Sequence, residues 1–276
     1  MDAPDIFDRA ARRLRRDRAA AGYADHDFLR AAMLEGIADR LASVTRDFGD
    51  VLDLGCFDGA FVPPPGAAIT RIDAGAIWAK GGVQADEDRL PVAPESFDLI
   101  VSAGVLDSVN DVPGALVQIR RALRPDGLFL GAFVGGGSLA VARASFLAAE
   151  ADRPAARFHP MIDVRSAGDL LVRAGFALPV ADAEPLDVRY PDLFRLIGDL
   201  RGMAASNVLH RRVPLTRRAL GAAAQAFAER ADPDGRVTER FELIFLTGWA
   251  PSPDQPQPAR RGSGTASLAA AIGRQR

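Results

Sequence analysis

A buried strand followed by an incomplete glycine turn constrains this chain more than any other feature. Residues 51–65 read VLDLGCFDGAFVPPP, an apolar strand, a turn containing Gly55 and Gly59, and then three consecutive prolines. In doubly wound α/β proteins, a strand, a glycine turn and a helix N-terminus together hold a nucleotide-like ligand. Here Phe57 stands where a middle glycine is expected, and the prolines stop a helix from following. The pattern predicts a nucleotide-binding fold with an altered ligand site.

The composition is that of one large α/β domain. The chain has 276 residues, of which 48% are hydrophobic, so it can bury a substantial core. Its formal net charge of −2 gives no whole-chain attraction to nucleic acid or to a membrane surface. We expect no transmembrane segment, because no apolar stretch is long enough. The single cysteine, Cys56, excludes an internal disulfide and fits a reducing compartment, so we expect a cytoplasmic protein.

Alternating strands and helices predict a doubly wound, mostly parallel sheet, with the last two strands as a possible antiparallel pair at one edge. The predicted strands are 50–54, 69–73, 82–86, 97–102, 127–134, 178–189 and 238–249. The predicted helices are 5–21, 27–45, 112–124, 138–150 and 163–175, with a helical stretch over 191–231. The crossovers after the first two strands are too short for full helices, so we expect loops or short turns there.

Three segments follow from this pattern. Residues 1–46 form an N-terminal helical arm, and residues 47–250 form the α/β domain, with 191–231 as a helical insert before the last strand. Residues 251–276 are rich in Pro, Gln, Arg, Gly and Ser, which predicts a flexible tail without a core.

Six arginines between residues 9 and 18, interrupted by aspartates, predict an amphipathic helix with a solvated basic face. An acidic partner or an anionic surface is the alternative. A nucleic-acid role is not expected, because the rest of the chain is not basic.

Three carboxylates follow three successive strands of the predicted sheet. Asp53 lies at the end of the first strand, Asp73 closes ITRID, and Asp86 lies in QADED. Ligand sites in doubly wound folds lie outside the carboxyl ends of the strands, so these side chains are candidate ligand contacts. The alternative is that they are ordinary turn acids at strand ends.

The segment after the fourth strand offers further polar groups. Asp107, Ser108, Asn110 and Asp111 could face a reacting centre, but capping of the next helix explains Asn110 or Asp111 more simply. The three histidines are scattered and lack metal-ligand spacing, so no metal site is predicted.

Several longer segments resemble one known family. They are FDLIVSAGVLDSVND (97–111), ALRPDGLFLGAFVGG (122–136), YPDLFRLIGDLRGMAASN (190–207), FELIFLTGWA (241–250) and PARRGSGTAS (258–267). With them the chain resembles the class I S-adenosylmethionine-dependent methyltransferases. Within these it is similar to the group of the mitochondrial respiratory complex I assembly factor, known as an arginine hydroxylase of a complex I subunit, and its bacterial relatives. The malonyl-carrier-protein methyltransferases of biotin synthesis are also similar but fit the tail less well.

The resemblance implies a Rossmann-like fold and S-adenosylmethionine as cofactor. The residues that it places at the cofactor are Asp53, Gly55, Cys56, Gly59, Asp73, Asp86 and Ser102. For Cys56 the residues themselves favour a small packed thiol over a nucleophile. No catalytic residue and no oligomeric state follow from the resemblance.

The resemblance also implies a protein partner, either a protein substrate or a subunit of respiratory complex I. The activity it implies is methylation of a protein side chain, or hydroxylation in the manner of the arginine hydroxylase. The chain departs from the family at Phe57, and around Leu106, Asp107 and Ser108, where the family has Leu-His-Trp. A non-catalytic assembly factor that has lost cofactor binding is therefore the alternative.

Overall fold

The protein is described here by a computed structural model in which residues 5–255 are placed. Its strands are β1 (Asp50–Leu54), β2 (Ala68–Asp73), β3 (Val83–Gln84), β4 (Phe97–Ala103), β5 (Leu123–Val134), β6 (Ala177–Tyr190) and β7 (Val237–Trp249). Its helices are α1 (Arg9–Ala19), α2 (Phe28–Ala42), α3 (Val112–Ala122), α4 (Ala140–Ala149), α5 (Val164–Ala174), α6 (Leu193–Gly202) and α7 (Arg217–Ala228). A short 3₁₀ segment, Ala20–Asp25, joins α1 to α2.

The seven strands form one sheet in the order β3-β2-β1-β4-β5-β7-β6. The first five strands run parallel, and Val51 lies beside Ile69 on one side and Leu99 on the other. Strand β7 is antiparallel to both β5 and β6. The predicted doubly wound, mostly parallel α/β fold is confirmed, including the antiparallel pair at one edge.

Helices cover both faces of the sheet and bury two apolar layers. One layer joins α2, α4, α6 and α7 to the sheet through side chains such as Met33 and Phe245. The other joins α3 and α5 to the opposite face through side chains such as Leu116, Phe129 and Leu171. Each central strand is therefore buried on both faces, which explains why β1 and β4 read as continuous apolar runs rather than alternating ones. Within residues 5–255, no helix has both the length and the hydrophobicity to cross a bilayer.

The structure shortens some predicted elements. The third strand covers only Val83–Gln84 at the exposed edge of the sheet. The helical stretch predicted over 191–231 consists of α6 and α7, separated by the non-helical residues 203–216. Gly175 closes α5 with a φ of 83°, as predicted. The two front crossovers, residues 55–67 and 74–82, are loops and turns. Most of the predicted tail lies outside the described residues.

Candidate functional site

The turn after β1 keeps a left-handed backbone even where the glycine is replaced. Gly55 and Gly59 have φ values of 75° and 73°, and Phe57 has a φ of 45°. A non-glycine residue in this region costs about 1–2 kcal/mol. A Cβ at Gly55 would lie 2.4 Å from Cγ1 of Val105, so this glycine is required by a close approach as well as by its φ. The chain thus retains the turn and carries a strained phenylalanine within it.

The Phe57 side chain lies in a closed aromatic cluster and is only 5% exposed. Its ring stacks on Tyr23 at a centroid distance of 5.0 Å and meets Trp78 edge-on at 5.9 Å. The guanidinium carbon of Arg16 lies 3.8 Å from the ring centroid, a cation–π contact. Apolar burial and this contact offset the backbone strain. The space above the glycine turn is therefore filled by side chains of the chain itself.

The carboxylate of Asp73 is fully engaged within the protein. Its Oδ1 accepts hydrogen bonds from Arg16 Nε at 2.9 Å and from the Gly75 amide at 2.7 Å. Its Oδ2 accepts from Arg16 Nη2 and from the Phe57 amide, the latter at 3.1 Å. Two oxygens with four donors leave no lone pair for a ribose hydroxyl.

The acidic run after β3 is paired in the same way with α1. The ion pairs join Arg13 to Asp86 at 2.7 Å, Arg12 to Glu87 at 2.7 Å and Arg9 to Asp88 at 2.6 Å. The Arg12–Glu87 and Arg9–Asp88 pairs are bidentate. Although burial lowers the pKa of Arg12, the Glu87 carboxylate raises it above its usual value. We call the ends of β1, β2 and β3, with the acids that follow them, the front edge.

Helix geometry explains how one short helix reaches the whole front edge. The paired arginines at positions 9, 12, 13 and 16 follow helical spacing and lie on one face of α1. The Asp8 side chain caps this helix by accepting from the Ala11 amide at 2.9 Å. The predicted solvated basic face is therefore wrong for Arg12 and Arg16, which are buried. Their acidic partners belong to this chain.

Asp53 and Ser102 lie buried below the covered turn without hydrogen-bond partners. The nearest cation to Asp53 is Arg30, whose Nη2 lies 3.7 Å from Oδ1. Burial raises the pKa of Asp53 to about 6, and Arg30 and Arg71 offset this only in part. These two fully buried side chains are the polar groups of the predicted site that have no hydrogen-bond partner.

Cys56 is a packed thiol in the same turn. The residue is buried, and its Sγ lies 3.6 Å from the Trp78 carbonyl oxygen. Burial raises the pKa of this thiol to about 12. The thiol is therefore protonated at neutral pH, which suits packing and not nucleophilic attack.

The polar side chains in the segment after β4 mainly stabilise local structure. Asp111 caps α3 by accepting from the Gly114 amide at 2.8 Å, which confirms the capping interpretation for Asp111. Asn110 bonds both backbone groups of Phe7, and the Ser108 hydroxyl accepts from Arg12 Nε. Asp107 instead faces a separate cavity of about 510 Å³, described below. Within residues 5–255, no group of three or more His, Cys, Asp or Glu side chains is arranged to hold a metal ion.

These contacts do not fit S-adenosylmethionine at the front edge as it is arranged. The acid that would bind the ribose is saturated by Arg16 and two amides, and Asp86 is held by Arg13. The structure does bring Asp53, Asp73 and Asp86 to one edge, as the sequence predicted. The sequence reasoning missed the helix that covers them and the aromatic partners of Phe57. The signal for the helix was the match between the arginine spacing in 9–16 and the acidic run 86–88.

Comparison with known proteins identifies the family of this chain. Residues 24–179 match a family model described as a methyltransferase domain. The Danio rerio protein named arginine-hydroxylase NDUFAF5, mitochondrial, is 34% identical over 285 residues, which cover 96% of this chain and 89% of that protein.

Solved structures agree on the fold. The YcgJ protein from Bacillus subtilis superposes with a TM-score of 0.56 at 15% identity, over 80% of this chain and 99% of that one. The 1,6-didemethyltoxoflavin-N1-methyltransferase of Burkholderia thailandensis, solved with S-adenosylhomocysteine, gives a TM-score of 0.50 at 19% identity, over 91% and 94% of the two chains. The chain belongs to the methyltransferase-domain family and, within it, to the family of the arginine-hydroxylase NDUFAF5 proteins.

Proposed function

We propose that this chain is a non-catalytic member of its family. It binds a protein partner, a subunit of respiratory complex I, and promotes assembly of that complex without using S-adenosylmethionine. The observation that carries the proposal is the saturated carboxylate of Asp73, which takes Arg16 and two backbone amides in place of a ribose.

The energy of opening the front edge supports this proposal. Separating a buried ion pair such as Arg16–Asp73 costs about 3–5 kcal/mol. A ligand that had to break this pair would bind about a hundredfold to several thousandfold more weakly, at about 1.4 kcal/mol per decade. Displacing the buried Phe57 ring would add to that cost. A ligand with a micromolar dissociation constant at an open front edge would then bind here at about 0.1 mM or more weakly.

Methyl transfer or hydroxylation by this chain is the competing function. The unpartnered carboxylate of Asp53 and hydroxyl of Ser102 favour it, because buried polar groups usually have a partner. Their place under the glycine turn is where a polar ligand would meet the end of β1 and β4. That function requires α1 to leave the front edge.

The partner surface that we propose includes α6, within the segment 190–207 that resembles the family most specifically. Phe194 on this helix is 56% exposed. We also propose that the chain acts in the cytoplasm, although the Danio rerio relative is named as mitochondrial.

Calorimetry tests the cofactor half of the proposal. We expect no saturable heat when the full chain is titrated with S-adenosylmethionine or S-adenosylhomocysteine at millimolar concentration. The Burkholderia methyltransferase, titrated with S-adenosylhomocysteine under the same conditions, is the positive control. A dissociation constant in the micromolar range for this chain would contradict the proposal.

Complementation tests the assembly half. Disruption of the gene in its own organism is expected to lower the amount of fully assembled complex I on native gels. The Ser102→Ala variant should restore assembly as well as the unaltered chain does, because the Ser102 hydroxyl has no partner in the fold. If this variant folds but fails to restore assembly, a ligand contact at Ser102 is required and the enzyme is favoured. Normal complex I in the disrupted strain would contradict the assembly role itself.

A further inference from the structure

A cavity lies next to the front edge, beside the carboxyl ends of β4 and β5. Its volume is about 510 Å³, within the range of about 300–1,000 Å³ that is typical of small-molecule sites. Residues from α2, α4, α6 and the segment 203–216 line it. We call it the rear cavity.

The interior of the rear cavity is apolar. Its floor is formed by buried side chains, among them Leu29, Leu139 and Phe241. Toward its mouth lie Phe194 and Val213, each 56% exposed. Exposed large apolar side chains that lead into a buried apolar floor are typical of a site that accepts an apolar group.

Positive charge surrounds this apolar interior. The cavity is lined by four arginines and one carboxylate: Arg15, Arg157, Arg201, Arg212 and Asp107. Within residues 5–255, Arg15 and Arg201 have no carboxylate partner, whereas Arg157 is paired with Glu150 and Arg212 with Asp8. Burial lowers the pKa of Arg15, and the neighbouring Arg212, Arg18 and Arg201 lower it further. Arg15 and Arg201 therefore place like charges near each other, and neither forms an ion pair with a carboxylate within residues 5–255.

Two titratable groups, His159 and Asp107, lie deeper in the cavity, and at pH 7 only Asp107 is charged. His159 accepts a hydrogen bond from the Val208 amide at 3.0 Å, and burial lowers its pKa to about 4. It is therefore neutral at pH 7. Burial raises the pKa of Asp107 to about 6, although Arg12 opposes the shift.

We propose that the rear cavity binds a single-chain amphiphile with an anionic head, such as a fatty carboxylate. The apolar chain enters toward Leu29 and Phe241, and the head group pairs with Arg15 and Arg201 at the mouth. Guanidinium groups bind carboxylates and phosphates in a bidentate manner, so both head groups fit the same chemistry. A peptide is a poorer occupant, because the floor is enclosed in the core while only the mouth is exposed. The mouth of the cavity shares Phe194 of α6 with the partner surface proposed above, but the ligand proposed here is a different one and does not depend on that partner.

Titration calorimetry tests the proposal with dodecanoate and dodecyl phosphate, each below its micelle concentration, and with dodecanol below its solubility limit. We expect one site per chain for the two anions and binding at least about tenfold weaker for dodecanol, because the alcohol cannot form the charge-assisted pairs. No saturable binding of either anion, several sites per chain, or equal affinity for the alcohol would overturn the proposal. Preference between dodecanoate and dodecyl phosphate identifies the head group.

Two pairs of variants locate the site. Arg15→Gln with Arg201→Gln should weaken dodecanoate binding about tenfold or more and leave dodecanol binding unchanged. Arg217→Gln with Arg218→Gln, which removes two exposed arginines outside the cavity lining, is the matched control and should change neither affinity.

Gly198 lines the cavity, and a Cβ there meets nothing within 4 Å, so Gly198→Trp should block both ligands. Gly221, on α7 outside the lining, is equally open, and Gly221→Trp should block neither. Unchanged dodecanoate binding by Gly198→Trp and by the Arg15/Arg201 variant would overturn the site. Binding of anionic phospholipid vesicles that survives both changes would instead identify a membrane surface elsewhere on the chain.

Discussion

The front edge and the rear cavity use arginine in opposite ways. At the front edge, the arginines at positions 9, 12, 13 and 16 of α1 each pair with a carboxylate of the same chain, and both oxygens of Asp73 already accept two hydrogen bonds each. At the rear cavity, Arg15 and Arg201 lie together without a carboxylate partner in the described chain. Helix α1 therefore closes the front edge with its paired arginines and presents the unpaired Arg15 to the rear cavity. In this fold, matching residue types at a family's ligand site do not show that the site is open.

The largest effect is expected from breaking the front edge at its most buried pair. Arg16→Ala leaves the Asp73 carboxylate buried without its cation and also removes the guanidinium from the Phe57 ring. Loss of one partner of a buried pair costs about 3–5 kcal/mol, so the free energy of unfolding in urea should fall by that amount.

Arg18→Ala is the control for this change. Arg18 lies on the same helix but is exposed and forms no ion pair within residues 5–255. The control should change stability by no more than about 0.5 kcal/mol. Equal effects of the two variants would show that α1 does not hold the front edge closed.

The fold was largely predictable from the sequence because local sequence patterns determine most of its strands and helices. The apolar run of β1 and the glycine that ends α5 each fix an element within a few residues. The closure of the site was not predictable in this way. Arg16 and Asp73 are 57 residues apart, and a helix with paired arginines reads the same in sequence as one with solvated arginines. The positive φ of Phe57 follows from the turn, but the direction of its ring depends on Tyr23 and Trp78, far away in sequence.

The second prediction concerns the unpartnered carboxylate of Asp53 and its pH dependence. Burial raises its pKa from 3.8 to about 6 in the folded chain, so the folded state holds a proton that the unfolded state releases. The stability from this group is complete below about pH 4 and is lost as the pH rises through 6. A shift of about two units corresponds to about 3 kcal/mol. Relative to the unaltered chain, Asp53→Asn should therefore gain about 3 kcal/mol of stability between pH 4 and pH 7.5, measured by urea unfolding.

Asp98→Asn should show the opposite pH trend. Burial raises the pKa of Asp98, but hydrogen bonds from the Asp50 and Gly49 amides and from Arg124 outweigh it and lower the pKa below its usual value. Asp98 therefore contributes stability at neutral pH that is lost as the pH falls. If both variants showed the same dependence of stability on pH, ionisation of Asp53 would not destabilise the folded chain.

The third prediction separates the backbone strain of Phe57 from the packing of its ring. Phe57→Gly relieves about 1–2 kcal/mol of backbone strain but removes a buried aromatic ring, a change that costs about 3–5 kcal/mol. We expect a net loss of about 2 kcal/mol in thermal or urea unfolding. Ala204→Gly is the matched case, because Ala204 also has a positive φ, 64°, but no ring to lose, and it should stabilise the chain by about 1 kcal/mol. If Phe57→Gly stabilised the chain, packing of the ring would contribute less free energy than the backbone strain costs. The turn would then open at little cost.

The smallest expected effect distinguishes the two regions most directly. Removal of an arginine should lower the free energy of unfolding at the front edge and raise it at the rear cavity. Arg13→Gln removes the nearer of the two arginines that pair with the buried Asp86, Arg9 at 3.4 Å being the other, and should lower the free energy of unfolding by about 1 kcal/mol. Arg201→Gln removes like charge beside Arg15 and should raise it by about 0.5 kcal/mol at low ionic strength. Both differences should shrink in 0.5 M salt, since the Debye length there is only about 4 Å. If Arg201→Gln destabilised the chain instead, Arg201 would have a carboxylate partner in solution, and the rear cavity would lose the free charge that its proposed ligand requires.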